Sequence, residues 1–137
     1  MSRQANRYLA ATAIPLLLLL AGCQHQPAAA QNIVRLASIQ RIEIVVLDAT
    51  PVQVRVVAHG YLPDGCTAVA GVEQRREEDV FHARVTTTRP AGALCTQQIV
   101  PFNETFPLDI AGLPAGTYSV EVNGKTGDFT LTGDVPK

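Results

Sequence analysis

The chain has 137 residues, a formal net charge of −1, 47% hydrophobic and 17% charged residues, which indicates one globular domain and leaves no room for a large two-domain enzyme. That apolar content is too high for a disordered chain. A balance of 11 Lys+Arg against 12 Asp+Glu supplies no basic face, so no nucleic-acid partner is expected.

Arg3 and Arg7 precede a run from Leu9 to Gly22 that holds five consecutive leucines, Leu16 to Leu20. This is the pattern of a secretion signal. As a helix the run would rise roughly 21 Å against a hydrocarbon core of ~30 Å, and Pro15 interrupts it, so a permanent span is not expected. The run closes on Leu20-Ala21-Gly22-Cys23. It resembles the bacterial lipobox, in which small residues fit the signal-peptidase cleft and the cysteine thiol carries a diacylglyceryl group. Residues 1–22 are therefore expected to be a lipoprotein signal peptide, and Cys23 the lipidated first residue of a chain carrying −3 (nine Lys+Arg, twelve Asp+Glu). Two or three acyl chains hold a protein at a membrane where one is marginal. Residues 23–40 are then the lipidated cysteine and a tether, with Gln24 to Gln31 spanning roughly 15 Å if flexible, and 41–137 the domain.

From Arg41 onward apolar residues alternate with period two in short runs broken by Gly, Pro, Asp and Asn, with no helical stripe. The expectation is an all-β, immunoglobulin-like Greek-key sandwich of about seven antiparallel strands. Ile42, Ile44 and Val46 share one face, and Asp48 to Pro51 turns the chain into Val52, Val54 and Val56. Pro63-Asp64-Gly65 is a turn, proline fixing φ and glycine permitting positive φ. Cys66, Ala68, Ala70 and Val72 are expected to face inward. Arg75 to Asp79 reads as a solvated hairpin tip, followed by inward Phe81, Ala83 and Val85. Pro107, within Phe106-Leu108-Ile110, cannot donate to a ladder and places its strand at a sheet edge. Leu113, Gly116 and Tyr118 have the spacing of a tyrosine corner, in which the hydroxyl returns to backbone upstream. Asn123-Gly124 suits a type I′ hairpin, and Phe129 and Leu131 close the last strand.

The span from about Ile44 to Leu131 resembles a family of uncharacterised bacterial envelope lipoproteins and secreted proteins. The likeness is carried by Gly60-Tyr61-Leu62-Pro63-Asp64-Gly65-Cys66-Thr67, by Arg89-Pro90 before Cys95-Thr96, by Pro101-Phe102, and by Leu113 to Tyr118 with Val122-Asn123-Gly124. It implies a β-sandwich outside the cytoplasm and brings no established activity.

With Cys23 acylated, Cys66 and Cys95 remain as one possible disulfide, tying the 61–66 turn to the 90–96 loop. A nucleophilic Cys95 would need a base that nothing nearby in sequence supplies. His59 and His82 fall on outward faces and could meet across a sheet, but two histidines without a recognised ligand spacing do not make a zinc site. No catalytic residue, metal or cofactor is expected. Gly124-Lys125-Thr126 lacks the upstream glycine and the following helix of a phosphate-binding loop. Tyr61, Leu62 and Phe102 could form a small exposed binding patch near the disulfide. The functional expectation is a lipid-anchored, extracytoplasmic envelope protein with a non-catalytic binding or accessory domain, its expected partners the membrane through Cys23 and another envelope protein. The alternatives are a protease inhibitor presenting the disulfide-tied loops and, third, an enzyme.

Overall fold

A computed structural model describes residues 31–137; residues 1–22, expected to be a signal peptide, and Cys23, the expected acylation site, lie outside the described residues. Within them eight strands follow in order: β1 (Asn32–Leu36), β2 (Ser38–Leu47), β3 (Gln53–Leu62), β4 (Ala68–Glu77), β5 (Val80–Pro90), β6 (Val100–Pro107), β7 (Gly116–Val122) and β8 (Lys125–Leu131). They form a β-sandwich of two sheets, β2-β3-β6 in one and β1, β4, β5, β7 and β8 in the other. As Pro107 requires, β6 is an edge strand, bonded to β3 alone.

Alternation builds the core. Val54, Val56 and Ala58 of β3 face Phe81, Ala83 and Val85 of β5, Val120 and Val122 of β7, and Phe129 and Leu131 of β8, all buried. Each fully buried valine-sized side chain stabilises by roughly 1.5–3 kcal/mol. The rings of Phe81, Tyr118 and Phe129 pack at centroid distances of 5.6–6.3 Å. The Tyr118 hydroxyl donates to the Pro114 carbonyl at 2.8 Å. Leu113 is buried, and its carbonyl accepts from Val135 N at 2.8 Å, drawing the C-terminal segment onto the sandwich.

The strand β5 organises the larger sheet. One edge pairs with β4 along almost its whole length. The other edge is divided: Val80 to Ala83 run parallel to Ser119–Val122 of β7, and Thr86 to Pro90 run antiparallel to β1. At the division β7 turns away and the chain passes from β1 into the other sheet; Ala37 N donates to the Val85 carbonyl at 2.9 Å, and Val85 N is left without a backbone partner. Asn123 fills the gap. Its Oδ1 accepts from Val85 N at 3.1 Å, and its Nδ2 donates to the carbonyls of Val85 and Ala37, each at 2.8 Å. Asn123 and Gly124 have φ of 46° and 86°, the positive values of a type I′ turn.

The structure differs from the sequence reading in four respects. The described residues hold eight strands where about seven were expected, and the β5–β7 pair is parallel. Among the described residues the strands begin at Asn32, so residues 32–36 and 38–40 are strand and not tether; all five residues of β1 are exposed, which removes the alternation that would have marked it. A bulge between Val69 and Gly71 shifts the face of β4. Thr67 is therefore buried and Val69 half-buried while Ala68 and Ala70 are exposed, and the expected inward face holds only from Val72. Val46 is exposed where Ile42 and Ile44 are half-buried.

Candidate functional site

Beyond Val85 the inner face of β5 changes from apolar to polar, continuing as Thr87 and Arg89. The partner that meets this polar stretch is the turn after β3. Pro63 starts it, and Asp64 closes it as an Asx turn: Oδ1 accepts from the backbone N of Cys66 and of Thr67 and from the Thr67 hydroxyl, each at 2.9 Å. Oδ2 accepts from Arg89 Nε at 2.8 Å. Partial burial pushes the Asp64 carboxyl up, but the bonds from the Thr67 hydroxyl, from Arg89 and from the two backbone N–H groups prevail and hold it down at about 2.

Arg89 then reaches the next loop. Its Nη2 donates to the Ala93 carbonyl at 3.2 Å and lies 3.2 Å from Cys95 Sγ, while Nη1 donates to the Pro90 carbonyl at 3.3 Å. Cys66 and Cys95 form a disulfide with a Cα–Cα separation of 5.6 Å. Gly65 N donates to the Thr96 carbonyl at 3.0 Å, and a Cβ on Gly65 would collide with Thr96 Oγ1, so a larger residue there would require the Thr96 side chain to turn away. Turn 63–67 and loop 89–96 are consequently one unit, fastened by a covalent bond, an ion pair and backbone hydrogen bonds.

Two openings flank this unit. A cleft of about 280 Å³ is lined by Ile33, Arg35, Pro63, Asp64, Thr67, Thr87 and Arg89. Beside it a more apolar groove of about 270 Å³ is lined by Arg35 to Ser38, Tyr61 to Pro63, Thr87 and Ile99. A larger cavity, about 620 Å³, lies at the opposite end among residues 46–52 and 130–137 and offers only Asp48, Asp134 and Lys137 as ionisable groups.

The chemistry of the unit is that of a brace. A carboxyl held near 2 is a poor general base at neutral pH, and all its bonds go to groups that shape the two loops. Asp64, Cys66 and Cys95 are the one group of potential metal ligands brought close together among the described residues, but the two sulfurs are bonded to each other and cannot offer thiolates.

Of the expected patch, only Tyr61 is exposed. Leu62 is buried, and Phe102 packs against the core with its ring over Gly60; all three sit on strands rather than loops, so Tyr61, Leu62 and Phe102 do not form one surface. His59 and His82 do not meet, since they belong to different sheets. His59 Nδ1 lies 2.6 Å from Asn103 Oδ1, and its buried Nε2 lies 3.2 Å from Glu43 Oε1 without hydrogen-bond alignment. His82 Nδ1 lies 3.1 Å from Glu121 Oε2. Each histidine thus has its own carboxylate. The sequence reading missed Asp64 and Arg89 as a pair, because only the folded sheet brings the turn to the end of β5, and it missed Asn123 beyond its turn role.

Residues 56–131 match the ORF11 beta-sandwich domain. The chain belongs to this family. The ORF11 match begins within β3 and ends on the last residue of β8, so it includes the brace, the disulfide cysteines, Tyr118 and Asn123, whereas β1 and β2 precede it. Similar proteins occur in Herpetosiphon aurantiacus. An uncharacterized 10.2 kDa protein in the HgiBIM 5′ region is 45% identical over 73 residues, covering 53% of this chain and 88% of that protein. Another, in the HgiCIIM 5′ region, is 38% identical over 85 residues, covering 62% of this chain and 89% of that protein. No solved structure matches.

Proposed function

We propose that this ORF11-domain protein is a lipid-anchored protein of the cell envelope, acylated at Cys23 on the extracytoplasmic side, whose sandwich is a non-catalytic binding or accessory domain. The observation that supports it is the Cys66–Cys95 disulfide. Such bonds persist in oxidising compartments, and this one leaves Cys23 as the remaining cysteine, placed where the signal run ends. The non-catalytic reading is supported by the use of Asp64 and Arg89, whose polar contacts go to the loops they hold. Cell fractionation with mass spectrometry tests the anchor. The expected result is a membrane-bound chain with acyl groups on residue 23 and a Cys23→Ser chain found in the soluble fraction; a Cys23→Ser chain still held by a lipid adduct would defeat it.

One observation favours protease inhibition as a second reading. Leu94 stands fully exposed between Ala93, whose carbonyl Arg89 holds, and Cys95, which the disulfide holds. A pre-ordered apolar residue can enter a protease cleft with little loss of entropy. Leu94→Lys should then redirect inhibition from chymotrypsin-like to trypsin-like proteases, and the absence of inhibition by either form removes this reading.

A further inference from the structure

Eight large apolar side chains are exposed among the described residues, and six of them, Ile33, Val34, Leu36, Tyr61, Leu94 and Ile99, belong to the disulfide-tied end; the other two are Val45 and Val46. Single exposed apolar residues are ordinary on a protein surface, whereas a concentration of them marks a contact. Leu36, Tyr61 and Ile99 share one open groove, and Leu94 projects wholly clear of the protein.

The chain enters at this same end. The Gln31 carbonyl accepts from Ala91 N at 2.8 Å, and Asn32 pairs with Pro90. Cys23 precedes Gln31 by eight positions, a length of chain that reaches at most about 28 Å when fully extended. Charge is divided along the same axis. Across residues 31–38, 60–69 and 86–100 the sole acid is Asp64, which Arg89 neutralises, and Arg35 adds a cation with no ion-pair partner among the described residues. Acids collect instead on the turns at the other end, at Asp48, Glu78, Asp79, Asp109 and Asp134.

We propose that the disulfide-tied end is seated on an anionic phospholipid surface, with Leu94 and Ile99 entering the boundary between headgroups and acyl chains and Arg35 meeting phosphates. This rests on the acylation of Cys23. Apolar side chains gain by leaving water at that boundary, a tyrosine suits its mixed polarity, and basic side chains are attracted to anionic lipid. The brace of Asp64, Arg89 and the disulfide holds the loop that carries Leu94 in place. The acidic end and the large cavity then face away from the membrane.

The chain contains no tryptophan, so a single introduced one reports its own surroundings. Leu94→Trp, exported and acylated as the full chain, is reconstituted into vesicles of phosphatidylethanolamine and phosphatidylglycerol whose acyl chains are brominated near the headgroup. Its emission should shift to the blue and lose most of its intensity, while Val46→Trp at the other end keeps both; Ile99→Trp is the second reporter, expected to behave as Leu94→Trp. An acylated chain in which Leu94→Trp and Ile99→Trp are quenched no more than Val46→Trp overturns the docking and leaves the anchor standing. A chain with no acyl mass on Cys23 overturns both. If Leu94→Trp stays in water and Leu94→Asp abolishes inhibition of a chymotrypsin-like protease, the loop addresses a protein cleft and the lipid assignment is wrong.

Discussion

Gly60 shows how one residue can be constrained by the fold alone. A Cβ there would overlap the Ser38 carbonyl oxygen and come within 2.6–2.8 Å of the Phe102 ring, so Gly60→Ala should destabilise by about 1–3 kcal/mol through overpacking. Gly71 has nothing within 4 Å of its Cβ position and no positive φ, and Gly71→Ala should be neutral or slightly stabilising. Denaturant midpoints at constant slope compare the two. Tyr118 is the opposite case, because its role is local and therefore legible from Leu113, Gly116 and Tyr118 spacing. Tyr118→Phe removes the bond to the Pro114 carbonyl and keeps the buried ring, so it should cost about 1–3 kcal/mol and leave the fold intact. An unchanged midpoint would contradict the role assigned to that hydroxyl. Nothing adjacent to Gly60 announces its constraint, since the Phe102 ring arrives from another strand.

At the scale of elements, the strands with buried faces were readable and those without were not. β3, β5, β7 and β8 alternate cleanly; β1 is exposed throughout, and the bulge in β4 reverses its parity midway. The joints between elements were hidden because they are not local: Asp64, on a turn, and Arg89, on β5, lie far apart in sequence and meet only when β4, which follows that turn, pairs with β5. Asp64 makes a pH prediction. Its carboxyl titrates at about 2 in the folded chain against an ordinary 3.8, so the stability it contributes is complete above roughly pH 4 and is lost as pH falls toward 2. Melting temperatures of the wild type and Asp64→Asn should differ at neutral pH and converge across that window; parallel curves would refute the assignment. Asn123→Asp keeps the acceptor for Val85 N but replaces two donors with a carboxylate facing the Ala37 and Val85 carbonyls. It should cost about 2 kcal/mol or more, read from the same midpoints.

For the whole molecule, the disulfide and the proposed N-terminal signal belong to one account. The pairing of Cys66 with Cys95 encloses a long loop, and removing it with Cys66→Ser and Cys95→Ser should lower stability by about 3–4 kcal/mol on chain-entropy grounds, with loop 89–96 becoming the first site of proteolysis. The sandwich and the pairing of the cysteines were legible in the sequence, because alternation and cysteine arithmetic are properties of the whole chain. The apolar end beside the chain entry was not, because Leu94 and Ile99 lie in a loop without pattern and acquire meaning only when β1 delivers the N-terminal segment next to them. A single intact-mass measurement on chain extracted from membranes tests the account most directly. The prediction is a polypeptide beginning at Cys23, carrying two or three acyl chains and lighter by the two thiol hydrogens lost when Cys66 and Cys95 are oxidised to a disulfide. A chain beginning at Met1, without acyl groups and with all three thiols free, would contradict it.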